Sequence, residues 1–115
     1  MIGYLTIGTN DLAKAGDFYD ELFAAIGANR VMTDERMLGW GWSPEETMFS
    51  VLKPYDGAAA TVGNGVMIAL NVKTPAAVEA LYEKALALGA ARPPSEPSTS
   101  SFESTSSTLA TSRWT

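Results

Sequence analysis

The side chains that most often perform chemistry in proteins are scarce in this chain, which contains neither histidine nor cysteine. The lack of cysteine excludes disulfides, thiolate nucleophiles and thiolate metal sites. Only Asp and Glu then remain as anionic metal ligands. Glu45 and Glu46 could offer a general base, but their place directly after Pro44 is typical of a solvated turn. We therefore predict no metal and no cofactor, and the sequence assigns no catalytic residue.

A second group of side chains suits ligand binding, because small-molecule sites are mostly apolar with a few polar anchors. Trp40 and Trp42, together with Met48, could line an aromatic pocket, although core packing or a dimer interface explains them equally well. Tyr4, Lys53 and Tyr55 could hydrogen-bond a ligand. Alternatively, Tyr4 is a half-buried sheet residue and Lys53-Pro54-Tyr55 is a structural loop. The predicted ligand-binding candidates are Tyr4, Trp40, Trp42, Met48, Lys53, Tyr55 and Met67.

The first element that must position these side chains is a strand–helix pair. Residues 2–8 predict a strand, and residues 9–11 supply short polar side chains that can cap a helix. Residues 12–26 carry apolar side chains at helical spacing, and Gly27 is placed to end the helix. The opposite, polar face of the predicted helix contains Lys14, Asp17, Asp20 and Glu21.

Short strands and a second helix are predicted for the next part of the chain. The strands span about 29–34, 37–42 and 47–53, and a loop follows to residue 65. A strand at 66–72 then precedes a helix that begins at Thr74-Pro75 and ends at Gly89. In the strand at 37–42, Gly39 and its neighbours at 37 and 41 share one face, so the glycines leave a trough there.

The two halves of the chain repeat one pattern of strand, cap, helix and Gly-Ala, with Gly27 and Gly89 lying 62 residues apart.

From Arg92 onward the composition changes, since 13 of the last 24 residues are Ser or Thr and three are Pro. This composition favours a disordered tail. A Ser/Thr-rich edge strand around 101–110 is the alternative.

Charge, apolar run length and chain length limit the kinds of partner and location that the chain can have. The net charge of −5 repels phosphate backbones, and no Lys/Arg cluster occurs, so nucleic acid is not an expected partner. No apolar run of 18 residues and no signal peptide is recognised, so we expect no membrane association and a cytoplasmic protein. A length of 115 residues fits one domain.

The order of elements and several short segments resemble the bacterial branch of the glyoxalase/bleomycin resistance protein/dioxygenase (vicinal oxygen chelate) superfamily. The segments are 7–20, which includes Phe18-Tyr19, followed by 53–57, 61–70 and 81–90. The resemblance implies an α+β fold of paired βαβββ modules, which form a curved mixed sheet with two helices on its outer face. The dimeric ferredoxin-like βαββαβ fold is the architectural alternative.

The resemblance divides the single predicted domain of residues 1–115 into two modules. The first spans 1–53, and residues 66–91 form the start of an incomplete second module. Residues 92–115 form an atypical tail. The superfamily places histidines early in the first and fifth strands and carboxylates on the last strand of each module. This chain has Tyr4 at the first position and Met67, or Val66, at the second. Neither a neutral phenol nor a thioether suits a hard divalent ion.

The resemblance implies a homodimer, since family members usually pair modules across a dimer and a missing final strand leaves an open edge. Together with the missing ligands, the resemblance predicts that the chain binds a small organic molecule in the sheet cleft without a metal, as bleomycin resistance proteins do by sequestration. One alternative is a metal-dependent enzyme with non-standard ligands, either lactoylglutathione-lyase-like or dioxygenase-like. The other alternative is an inactive structural relic.

Overall fold

A computed structural model describes residues 1–61, 68–72 and 74–90, and the backbone of 101–104 and 108–113. The chain divides into two compact units, Met1–Thr61 and Val62–Trp114. Both units combine one helix with a sheet, so the predicted α+β class is confirmed. In the described part of the chain, neither helix has the length and the apolar character needed to cross a membrane.

The first unit is a complete βαβββ module. Its four strands form one mixed sheet in the order β1-β4-β3-β2, in which β1 runs parallel to β4 and the other pairs are antiparallel. The predicted elements are confirmed, with bounds that differ by one or two residues from the expected ones. They are β1 (Tyr4–Gly8), α1 (Leu12–Ala24), β2 (Asn29–Thr33), β3 (Met37–Gly41) and β4 (Met48–Leu52).

One face of this sheet carries an aromatic core against α1. Tyr19 and Phe23 of α1 pack on Trp40 and Phe49 with ring centroids 5.0–5.9 Å apart. All four rings are buried, and each contributes roughly 1.5–3 kcal/mol through its burial. Burial also raises the pKa of the Tyr19 phenol well above its ordinary value, so the ring stays neutral.

A glycine lies where α1 packs closely on side chains of the sheet. A Cβ at Gly16 would lie 2.8 Å from Leu38 Cδ1 and 2.9 Å from Arg30 Nη2. An added methyl group at this helical position would therefore displace the ends of the Leu38 and Arg30 side chains.

The predicted ends of α1 are confirmed. The Asp11 side chain accepts the Lys14 N–H at 3.0 Å, which caps the first turn. At the other end Gly27 has φ +77°, and the Ala28 N–H donates to the Phe23 carbonyl at 3.0 Å. This six-residue bond, with Gly27 N–H to the Ala24 carbonyl at 3.1 Å, is a Schellman motif.

The second unit repeats the start of the first. It contains β5 (Ile68–Asn71), α2 (Pro75–Ala87), β6 (Ser101–Ser104) and β7 (Thr108–Arg113), and its sheet has the order β5-β7-β6. Thr74 caps α2, and Gly89 at φ +106° ends it with the same pair of backbone hydrogen bonds as at Gly27. The repeated strand, cap, helix and Gly-Ala therefore fold alike in both units.

Two strands follow α2 in the described residues, where three follow α1. Each added antiparallel strand reverses direction, so β4 runs parallel to β1 whereas β7 runs antiparallel to β5. The expectation of disorder from the Ser/Thr-rich composition is wrong at 101–104 and 108–113, where threonine suits a strand. The strand alternative holds, with β6 at an edge and β7 between β5 and β6.

Candidate functional site

The face of the first sheet opposite α1 is the surface on which a ligand can be considered. Because side chains alternate along a strand, residues out of phase with Trp40 and Phe49 point away from the helix. We call this surface the far face. On β1, β3 and β4 it includes Tyr4, Thr6, Gly39, Met48 and Ser50, which the strand register places side by side.

The far face is uncharged along β1, β3 and β4. The fifteen residues of β1, β3 and β4 include no Asp, Glu, Lys or Arg. Tyr4 is 62% exposed and Thr6 is also exposed, whereas Met48 is half-buried. This surface therefore offers hydroxyl groups, a thioether and backbone, but no formal charge.

Ser50 stands out on the far face because its hydroxyl is completely buried and has no hydrogen-bond partner among the described residues. It lies between Thr6 on β1 and Gly39 on β3. A buried polar atom without a partner costs about 1–3 kcal/mol, and such atoms are rare in folded proteins. Ser50 was not among the predicted site residues, since a serine inside an apolar strand signals nothing until its neighbours are known.

Met48 lies directly over Gly39. A Cβ built on Gly39 would meet the Met48 Sδ, and it would be 2.9 Å from Cγ and 3.2 Å from Cε. The trough predicted at this glycine therefore exists, and the Met48 side chain lies in it.

Trp40 was predicted as a pocket residue, but the structure places it in the core on the α1 side. It is 1% exposed, and its Nε1 donates to Asp20 Oδ1 at 2.8 Å. Arg30 holds the same carboxylate with two bonds of 2.7 and 3.1 Å, and its Cζ lies 5.7 Å from the Trp40 ring. The structure thus does not bring Trp40 and Met48 together, since they occupy opposite faces of the sheet.

Asp20 lies on the exposed, polar face of α1, as the helical pattern predicts for it with Asp17 and Glu21. Its carboxylate also joins α1 to β2 and β3 through Arg30 and Trp40. The first turn after β3 makes a further link, because the exposed Trp42 donates its Nε1 proton to the Ile26 carbonyl at 3.1 Å. Trp42 therefore holds the C-terminal end of α1.

Lys53 and Tyr55 follow β4 at its C-terminal end, away from Met48. Lys53 is five positions beyond Met48, a distance of about 16 Å at a strand rise of roughly 3.3 Å per residue. Tyr55 is exposed and has Arg36 Cζ at 5.3 Å from its ring. Arg36 also donates to the Pro54 carbonyl at 3.1 Å. These contacts favour the structural-loop alternative for this segment.

Among the predicted candidates, the structure brings together Tyr4 and Met48, which are paired across β1 and β4. Met67 lies outside the described residues. The loop after Lys53 is fastened elsewhere, because the Asn10 side chain donates to the Ala60 carbonyl at 3.1 Å and accepts the Ala60 N–H at 2.6 Å.

The side chains of β1 and β4 do not fit the metal that the resemblance implies. The far face supplies a phenol, two hydroxyls and a thioether, which are neutral and poorly suited to a hard divalent ion. Across the described ranges, no three Asp or Glu residues cluster in a way that could hold a metal ion.

Comparison with known proteins agrees with the module topology. No protein-family model matches the sequence, and no curated protein matches it. A solved structure of a glyoxalase/bleomycin resistance protein from Albidiferax ferrireducens T118 superposes with a TM-score of 0.68 at 25% identity. The match covers 84% of this chain and 79% of that protein. The predicted superfamily is confirmed. The chain therefore has the glyoxalase/bleomycin resistance fold, although its first module carries a neutral far face.

Proposed function

We propose that this glyoxalase/bleomycin-resistance-like chain binds a small, neutral, largely apolar organic molecule on the far face, without a metal. The observation that carries this proposal is the buried hydroxyl of Ser50, which lacks a partner among the described residues. A ligand that hydrogen-bonds Ser50 removes the cost of that orphan group.

The charge distribution supports a neutral ligand. A charged group placed on the far face would lose hydration and find no counter-charge on β1, β3 or β4. A serine hydroxyl both donates and accepts, so it can pair with a ligand hydroxyl, carbonyl or amide. Tyr4 and Thr6 add two exposed hydroxyls beside it.

The confirmed superfamily supports a role of the same broad kind, and the neutral donors favour binding over metal-dependent catalysis. The ligand and metal titrations below also test the two alternatives. Tight metal uptake would favour a metal-dependent lyase or dioxygenase, and a lack of any binding would favour an inactive relic.

The test is an NMR titration of backbone amides with a set of neutral fragments that each carry one hydroxyl, ketone or amide. We expect shifts centred on Thr6, Gly39 and Ser50, which Ser50→Ala weakens. Val51→Ala is the matched control, because Val51 faces α1 from the adjacent position of β4. Shifts that are the same in Ser50→Ala, or absent for every fragment, would contradict the proposal.

Calorimetric titration with Zn²⁺, Ni²⁺ and Mg²⁺ addresses the metal. We expect no stoichiometric tight uptake, and tight uptake of one ion per chain would contradict a metal-free site.

The homodimer and the cytoplasmic location stay predictions. In support of a dimer, β1 is an edge strand of its four-stranded sheet in the described part of the chain, and Ile2 and Tyr4 are exposed beside it. Size-exclusion chromatography with light scattering should give the mass of two chains, and the mass of one chain would contradict the dimer.

A further inference from the structure

The Met48 side chain and the orphan hydroxyl are neighbours on the far face. Gly39 and Ser50 are direct cross-strand partners, and such partners have side-chain positions about 4.5–5.5 Å apart. Met48 Cγ and Cε lie within 3.2 Å of the position that a Cβ on Gly39 would occupy. The thioether therefore lies beside the buried Ser50 hydroxyl.

We propose that Met48 is a displaceable lid over a subsite whose floor is the Gly39 backbone and the Ser50 hydroxyl. The subsite rests on the proposed function and narrows its ligand. It takes the hydroxyl or carbonyl end of a neutral molecule whose adjoining apolar part is slim enough to replace a thioether chain.

Two properties of Met48 suit it to this movement. Its side chain is unbranched with three rotatable bonds, and it is half-buried, so it can turn toward solvent without disturbing the backbone. Its sulfur is only a weak hydrogen-bond acceptor, so in its present position it leaves the Ser50 hydroxyl unsatisfied. A ligand hydroxyl supplies the missing bond when the thioether moves away.

The absence of cysteine allows a direct test, since Ser50→Cys gives a single reporter thiol of nearly the same shape. The rate of alkylation by iodoacetamide, followed by mass spectrometry, reports how often the floor is open. We expect Met48→Ala/Ser50→Cys to react at least about tenfold faster than Ser50→Cys alone, because minor open states are typically populated at about 10% or less.

Two reporter positions control for other effects. Thr6→Cys is exposed on the same face, so its rate should be the same with and without the Met48→Ala change. Val51→Cys is 1% exposed on the α1 face and should stay slow in both backgrounds. A parallel acceleration at Val51→Cys would mean that Met48→Ala loosens the whole unit, and this would overturn the lid.

Gly39→Ala supplies a second way to open the subsite with Met48 present. The added methyl group occupies the position that the thioether now fills, so Gly39→Ala/Ser50→Cys should also react faster than Ser50→Cys. The proposal would be overturned if neither Met48→Ala nor Gly39→Ala changed the alkylation rate of Ser50→Cys. It would also be overturned if Ser50→Cys alone already reacted as fast as Thr6→Cys.

The ligand class is tested with phenol and toluene, of which only phenol carries a hydroxyl. In Met48→Ala, phenol should shift the Gly39 and Ser50 amides and bind about tenfold more tightly than in Met48→Ala/Ser50→Ala, as expected for one hydrogen bond. Toluene should bind the two variants equally. Equal phenol affinity in both would overturn the assignment of Ser50 as the polar floor. Alkylation needs no ligand, so it tests the lid independently of ligand binding. The lid can therefore be refuted while fragment binding is observed, and fragment binding can be refuted while the lid is supported.

Discussion

The two faces of the first sheet treat buried polar groups in opposite ways. On the α1 side, the Trp40 ring packs on Tyr19 and Phe23, and its indole N–H donates to the Asp20 carboxylate at 2.8 Å. On the far face, the Ser50 hydroxyl is just as buried and finds no partner in the described residues. The first arrangement stabilises the fold, whereas the second leaves a binding group unused. The difference separates the surface that holds the module together from the surface that can receive a ligand.

The largest expected effect comes from breaking the α1 side at its centre. Trp40→Ala removes the largest fully buried side chain among the described residues and leaves a cavity, so it should lower the free energy of unfolding by about 3–5 kcal/mol. Urea unfolding followed by circular dichroism measures the change. The matched change on the far face is Tyr4→Ala, which should shift stability by no more than about 0.5 kcal/mol because the ring is exposed. Similar losses for the two variants would refute the division between the faces.

A smaller effect is expected when the aromatic core is kept and only its polar partner is removed. Asp20→Ala leaves the buried Trp40 N–H without an acceptor and should lower the free energy of unfolding by about 1–3 kcal/mol. Asp20→Asn keeps an acceptor for the indole while removing the ion pair with Arg30, so its loss should be smaller. Urea unfolding of both variants is compared with Asp17→Ala, an exposed position on the same helix. A loss at Asp17→Ala as large as at Asp20→Ala would remove the special role of Asp20.

The elements of the first module were predictable because local chemistry fixes them. The apolar spacing of residues 12–26, the capping side chain at Asp11 and the left-handed glycine at Gly27 all act within a few residues of one another. The same holds for Thr74 and Gly89 around α2. Periodicity also predicted the trough at Gly39, since alternation along a strand needs no knowledge of its partners.

The pairing between strands could not be predicted in this way, and the candidate site depends on it. Trp40 and Met48 looked alike as apolar pocket residues, but the register of β3 on β4 places them on opposite faces. Ser50 gained its significance only from its position next to Gly39 and Thr6. Helical periodicity correctly predicted that Asp20 lies on the exposed face of α1, but its contacts with Arg30 and Trp40 depend on where β2 and β3 pack.

A still smaller effect is expected at the edge of the α1 side. Trp42→Phe removes the indole N–H that donates to the Ile26 carbonyl, and water can replace that donor because Trp42 is exposed. The free energy of unfolding should fall by about 0.5–1 kcal/mol in urea denaturation. Tyr55→Phe, another exposed aromatic position, serves as the control and should show no measurable loss. A loss for Trp42→Phe that exceeds that for Asp20→Ala would contradict the ranking of buried over exposed hydrogen bonds.

The smallest expected effect has the opposite sign and sharpens the comparison most. Ser50→Ala deletes a buried hydroxyl without a described partner, so the free energy of unfolding should stay unchanged or rise by up to about 1 kcal/mol. Thr9 is the matched control, because its hydroxyl is also buried but accepts the Asp11 N–H at 3.1 Å. Thr9→Val keeps the shape and should lose about 1 kcal/mol. A loss at Ser50→Ala equal to that at Thr9→Val would mean that the Ser50 hydroxyl is already satisfied in the folded chain, and the far face would then lack the unused group on which ligand binding was proposed.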